Sequence, residues 1–151
     1  MPLILGLSFF YHDSAAALID NGEIITAVQE ERFTRVKHDP SFPKNSIFHI
    51  LNDNKIELSD IDYVVFYEKP FLKFERLIET YVSLAPRGFQ QFKVSMPLWI
   101  KEKLFLKNFL YKNLKAIDQN FLKSKINFCE HHISHAASAF YPSPFKKAII
   151  L

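Results

Sequence analysis

The stretch LILGLSFFYHDSAAALIDNGEIITAVQ, residues 3–29, decides the fold. It opens on an apolar run, residues 3 to 8, that stops in the polar turn YHDS, residues 11–14. A second run, residues 15 to 19, ends in Asp20-Asn21-Gly22. Asn-Gly between two extended runs signals a two-residue hairpin turn, whose central positions both need positive φ. A third strand is predicted over residues 23 to 29. Strands joined by turns this short are antiparallel neighbours, so the chain opens with a three-stranded meander.

The pattern then changes period. Residues 30–43, EERFTRVKHDPSFP, are charged and broken by Pro40 and Pro43, which predicts a loop. Ile47, Ile50 and Leu51 stand at helical spacing and predict a helix over residues 44 to 54. A strand over 63 to 67 stops before Pro70, and residues 71 to 83 read as a helix. Residues 84 to 97 hold Pro86, Gly88 and Pro97 and read as a linker. A long amphipathic helix is expected over 98 to 115, then a strand over 126 to 129. The next helix begins at His131 or His132 and stops before Pro142, and a last apolar strand starts at Ala148. Strands interleaved with helices place the chain in the α/β class with a mixed sheet. A strand still running at Leu151 predicts a truncated fold, one piece of something longer.

Composition narrows the function classes. The 151 residues suffice for one core, and 48% apolar content is globular. With 16 Phe and only 3 Gly, a glycine-rich phosphate loop is not expected. A net charge of +3 is too small for a dedicated nucleic-acid binder. The excess is local: seven lysines lie between Lys101 and Lys125, either a solvated helical face or a contact for an anionic partner. The single cysteine, Cys129, excludes an internal disulfide and fits a reducing compartment. Without a basic leader or a run of roughly 20 apolar residues, a soluble cytoplasmic protein with no membrane association is expected.

Three stretches can carry chemistry. In EHHISHAASAFYPSPF, residues 130–145, His131 and His135 are four apart and share one helix face. That spacing suits a metal clamp, or else a helix start where one histidine caps and another packs. His132 stands where a zinc protease needs glutamate, which weakens the protease reading. In YHDS, His12 and Asp13 are a candidate base and its orienter, or polar contacts to phosphate or metal; an ordinary turn closed by Asp13 or Ser14 is the alternative. In QEERFTRVKHD, residues 29–39, Arg32, Arg35 and Lys37 make an anion-binding set or a solvated charge run, with His38 and Asp39 as titratable neighbours.

Taken together, residues 3–43 and EHHISHAASAFYPSPF resemble the two N-terminal signatures of the NodU/CmcH carbamoyltransferase family, in the same order. The resemblance spans nearly the whole chain and is loosest over the basic, aromatic residues 70 to 125. It implies a Kae1-like domain of the ASKHA, RNase H-like and actin-like superfamily, of which residues 1–151 are the N-terminal part. It implies an O-carbamoyltransferase acting in nodulation-factor-like, antibiotic or surface-glycan biosynthesis. A separate YrdC-like domain makes carbamoyl-adenylate from ATP and carbamoyl phosphate, and the group then passes to a small-molecule hydroxyl beside a divalent metal, iron in the first instance. By position, His131 and His135 are implied as metal ligands, His12 and Asp13 as catalytic residues, and Lys37 and Ser14 as cofactor contacts. The family's acidic ligands are expected beyond Leu151, so this polypeptide alone is expected to be inactive, either as one half of a split enzyme whose C-terminal half is separately encoded or as the remnant of a broken gene. A tRNA threonylcarbamoyl-transfer protein shares the superfamily and the histidine pair, though not the HDSAA turn; an inactive binding module is the third reading.

Overall fold

The meander forms as its sequence predicts. In the computed structural model, which describes residues 2–11, 13–85, 87–99 and 105–149, β1 (Leu3–Ser8) pairs antiparallel with β2 (Ala15–Asp20) from Leu3 opposite Asp20 to Ser8 opposite Ala15. β3 (Glu23–Gln29) pairs antiparallel with β2, with a bulge between Leu18 and Ile19. Asn21 and Gly22 join them with φ of 53° and 88°, the two left-handed positions that a tight hairpin of this hand requires. β4 (Tyr63–Phe66) adds parallel to β1, and β5 (Ile126–Phe128) parallel to β4, giving one mixed sheet in the order β3-β2-β1-β4-β5. This sheet, opening with the meander, is the architecture expected of an ASKHA half-domain.

Alternation explains which face is buried. Leu5, Leu7 and Phe9, then Ala16 and Leu18, then Val64 and Phe66, then Ile126, are all buried, while Gly6, Ala17 and Val65 between them are half-buried. Neighbouring strands keep these residues in register, so one face carries the apolar set. Two amphipathic helices add to the same core: α2 (Lys44–Asn54) through Ile47, Ile50 and Leu51, and α5 (Leu106–Ile117) through Leu106, Leu110 and Leu114. Four of the 16 phenylalanines share one destination. Phe9 lies 4.9 Å from Phe66, 5.5 Å from Phe42 and 5.9 Å from Phe109, ring centre to ring centre, a cluster directly below the turn that follows β1.

Four expectations need correction. The charged loop contains a single helical turn, α1 (Glu31–Thr34), closed by Arg35 at φ 57°. After α3 (Pro70–Leu84), with proline in its first turn where no N–H is missed, the expected linker contains α4 (Phe89–Trp99). Pro97 lies in the last turn of α4, which therefore lacks the one backbone bond that its N–H would have made four residues back. The expected long helix over 98 to 115 is shorter and displaced: α5 starts at Leu106, and residues 100 to 104 lie outside the described set. Ala148 and Ile149, where the last strand was expected to start, are not in a strand, because a strand exists only where its backbone finds a partner; residues 150 and 151, the rest of that expected strand, lie outside the described set. α6 (His131–Phe140) begins where expected and ends before Pro142.

Candidate active site

Strand direction brings the motifs together. β1, β4 and β5 are mutually parallel, and β3, twice reversed, runs with them. All four therefore finish at one end of the sheet, with Leu7, Phe66 and Phe128 in a row and Ser8 opposite Ala15, itself opposite Gln29. YHDS follows β1, the EERFTRVKHD segment follows β3, Tyr67-Glu68-Lys69 follows β4, and CEHHISH follows β5. The carboxyl ends of parallel strands are where α/β proteins bind ligands.

A buried carboxylate builds the frame beneath this end. Glu30, 1% exposed, accepts from the Asn45 backbone N–H (3.0 Å) and Asn45 Nδ2 (2.7 Å) through Oε1. Its Oε2 accepts from the Ser46 backbone N–H (2.8 Å) and Ser46 Oγ (2.6 Å). It thus caps α2 from fourteen residues before that helix begins, which the helix needs because Pro43 offers no capping side chain. The Glu30 N–H donates to the Ser14 carbonyl at 2.8 Å, and the Ser14 N–H to the Asp39 carbonyl at 3.0 Å. Ser14, 1% exposed, donates its hydroxyl to the Ser41 carbonyl at 2.6 Å. In this geometry Ser14 locks the two loops together. The Asp39 carboxyl is held below its ordinary pKa by the Ser41 hydroxyl, the Ser41 N–H at 2.9 Å and the Thr34 hydroxyl, against a smaller opposing effect of burial.

Above this frame the YHDS turn and the segment after β3, both within residues 3–43, touch. His38 Nδ1 lies 2.9 Å from Asp13 Oδ1, across 25 residues of sequence. A carboxylate can only accept, so Nδ1 carries the proton and the ring's other nitrogen, Nε2, is the basic one when the imidazole is neutral. Phe10, Asp13, Arg35 and His38 all have positive φ (84°, 58°, 57° and 57°). Four such non-glycine residues in two touching loops are stored backbone strain of the kind found at ligand sites. Lys37, Arg32 and Arg35 are exposed around the loop, available to an anion. His12 lies outside the described residues.

The second pair is on α6. His131 and His135 bring their Nε2 atoms to 3.2 Å, with ring centres 4.5 Å apart and both side chains exposed. Two imidazole nitrogens at that separation suit a single ion bound at ~2.0–2.1 Å from each. The donor set fits a divalent transition metal but is incomplete: among the described residues no group of three His, Cys, Asp or Glu could hold an ion. His132 is turned to the flank of the helix, where an open cavity of about 710 Å³ is bounded by His132, His135, Phe140, Phe145 and Ile149.

Several participants carry no local signal. Glu30 and His38 are charged residues in a charged run, and only their long-range partners distinguish them. Lys69, which reaches Glu130 at 3.0 Å, and Tyr67, whose ring centre is 5.7 Å from that of His131, look like any strand exit. Of the seven lysines between 101 and 125, Lys101 and Lys103 lie outside the described residues; Lys107, Lys112 and Lys115 are exposed; and Lys125 donates to the carbonyls of Ser59 (2.7 Å) and Ile61 (2.8 Å). No helix among the described residues is long and apolar enough to cross a membrane.

Comparison with known proteins agrees along the whole chain. Residues 3–151 match the family model described as carbamoyltransferase N-terminus. An uncharacterized protein of Synechocystis sp. is 54% identical over 153 residues, covering 100% of this chain and 25% of its own length. The nodulation protein NolNO of Sinorhizobium fredii is 37% identical over 143 residues, covering 94% of this chain and 19% of its own length. An uncharacterized protein of Methanocaldococcus jannaschii is 29% identical over 183 residues, covering 96% of this chain and 29% of its own length. The chain therefore spans about a fifth to a third of the length of these relatives.

Proposed function

The chain belongs to the carbamoyltransferase N-terminus family, and from that premise we propose that it carries the acceptor-activating and metal-holding part of an enzyme that moves a carbamoyl group from carbamoyl-adenylate to a substrate hydroxyl. The observation that carries this reading is the placement of two polar pairs, Asp13 with His38 and His131 with His135, after strands that finish at the same end of the sheet. In the transfer, the acceptor oxygen attacks the carbamoyl carbon, the bond from that carbon to the adenylate phosphate oxygen breaks, and AMP leaves. The hydroxyl proton passes to a histidine of the Asp13 loop, His12 by family resemblance. Lys37 neutralises the departing phosphate. His131 and His135 hold a divalent metal, iron in the first instance, which when bound stabilises charge developing on the carbonyl oxygen. Further ligands come from the part of the relatives' length that these 151 residues do not cover. The acceptor is a hydroxyl of a nodulation-factor-like, antibiotic or surface-glycan saccharide, and ATP with carbamoyl phosphate supplies the donor.

The contact between His38 and Asp13 favours a second assignment of the base: an imidazole oriented through Nδ1 presents a basic Nε2, as in other carboxylate–histidine pairs. The test uses a polypeptide of the relatives' full length carrying this segment, given ATP, carbamoyl phosphate, ferrous iron and a saccharide acceptor, with carbamoylated product followed by mass spectrometry. Asp13→Asn lowers kcat by at least about 100-fold, the scale of a general-base contribution. His12→Gln and His38→Gln separate the two assignments, since only loss of the true base removes the acidic limb of the pH–rate profile. An unaltered rate in Asp13→Asn refutes the role of this turn, and carbamoyl transfer by these 151 residues alone refutes the assignment of further ligands to the rest of the relatives' length.

A further inference from the structure

The first metal-ligand candidate, His131, is the first residue of α6, where helices fray. α6 is ten residues long and has no buried residue, so neither length nor packing of its own holds that first turn. Its N-cap residue, Glu130, makes no side-chain capping bond. The Glu130 carboxylate is instead directed to Lys69, whose Nζ lies 3.0 Å from Oε1. The same segment touches the helix twice more. The Tyr67 ring packs against His131 with centres 5.7 Å apart, and Ser134 Oγ lies 3.3 Å from the Tyr67 carbonyl and 2.7 Å from the His131 carbonyl. One residue before, the Cys129 N–H donates to the Phe66 carbonyl at 2.9 Å. Apart from the Ser134–His131 bond, these contacts join positions more than sixty residues apart, and all fall on the turn that carries His131 or on the residue pair leading into it.

We propose that Tyr67 and Lys69, at the exit of β4, are positioning residues that hold the first turn of α6 in place and thereby preset the His131–His135 pair for a divalent metal. The inference rests on the reading of that pair as ligands. Without the Lys69–Glu130 link the first turn is held only by the Tyr67, Ser134 and Cys129 contacts, and His131 departs more often from its place beside His135. The same platform ties the metal end of the site to the strand beside β1, so the histidine pair and the Asp13 loop keep a constant separation.

The probe is Cu(II) alone, titrated into the 151-residue chain and read by visible absorption and by the nitrogen hyperfine pattern in electron paramagnetic resonance. The unsubstituted chain shows two-imidazole coordination, and His131→Ala and His135→Ala each lose it. Lys69→Met weakens binding about 10-fold, the scale reported for residues that orient metal ligands, and shifts the spectrum toward one-imidazole coordination. Lys69→Arg restores both, and circular dichroism stays unchanged throughout. Glu130→Ala reproduces the loss, and the double variant Lys69→Met/Glu130→Ala adds nothing to either single change. Unchanged affinity and a two-imidazole spectrum in Lys69→Met overturn the proposal, as does additivity in the double variant. If His131→Ala and His135→Ala bind Cu(II) as tightly as the unsubstituted chain, the metal reading itself fails, whatever Lys69 does.

Discussion

Replacing Glu30 by alanine tests the frame on which the candidate site stands. The carboxylate accepts four hydrogen bonds, two from Asn45 and two from Ser46, at 2.6–3.0 Å. Asn45 is exposed, so its side chain returns to water at little cost. Ser46 is 0% exposed, and its N–H and hydroxyl lose their acceptor inside the core. At about 1–3 kcal/mol for each buried unsatisfied group, plus about 1 kcal/mol for a lost helix cap, the gross loss is about 3–7 kcal/mol. Release of a buried carboxylate from its desolvated site offsets part of this, leaving about 3 kcal/mol net. For a chain of this size that is a fall in Tm of about 10 °C. The assay is thermal and urea unfolding followed by far-ultraviolet circular dichroism. Glu30→Gln keeps the length but turns an NH₂ group toward two donors, so it loses about 2 kcal/mol. A loss below about 1 kcal/mol in Glu30→Ala refutes the reasoning, because the N-terminus of α2 would then be satisfied by other means.

Asp39 sets an acid limit. Its carboxyl is held below its ordinary value of 3.8 chiefly by the Ser41 hydroxyl and N–H, so the charged form stabilises the fold fully above that value, and the contribution is lost as pH falls through the lower folded pKa. Amide exchange at Ser41 is therefore expected to accelerate below about pH 4, and Asp39→Asn removes this pH dependence. Phe9→Ala, at the centre of the aromatic cluster, costs about 3–5 kcal/mol in urea unfolding and loosens the YHDS turn it supports. Lys125→Met removes two donations to the carbonyls of Ser59 and Ile61 and costs about 1–3 kcal/mol, whereas Lys115→Met, on the exposed face of α5, changes stability by less than about 0.5 kcal/mol.

Local rules were enough wherever local physics decides. The alternation in β1 and β2, the Asn21-Gly22 turn and the spacing of Ile47, Ile50 and Leu51 each act within a few residues, and the elements formed where they were expected. The His131–His135 pair was legible for the same reason, since a helix alone places two residues four apart on one face. Local rules failed where proline was taken as a terminator: Pro97 sits within α4. They failed again at Ala148 and Ile149, where a strand was expected to start and which have no partner strand among the described residues.

By itself, then, the sequence determined the meander, the α/β class, the family signatures and the residue types offered for chemistry. Only the tertiary structure decided which of those residues meet. The Asp13–His38 contact spans 25 residues, the Glu30 cap 16 and the Lys69–Glu130 link 61, and no periodicity reports a partner that distant. The physical reason is strand direction. Because β1, β3, β4 and β5 all run the same way, four segments scattered along the chain are delivered to one end of one sheet, where side chains with no local relation come within hydrogen-bonding distance.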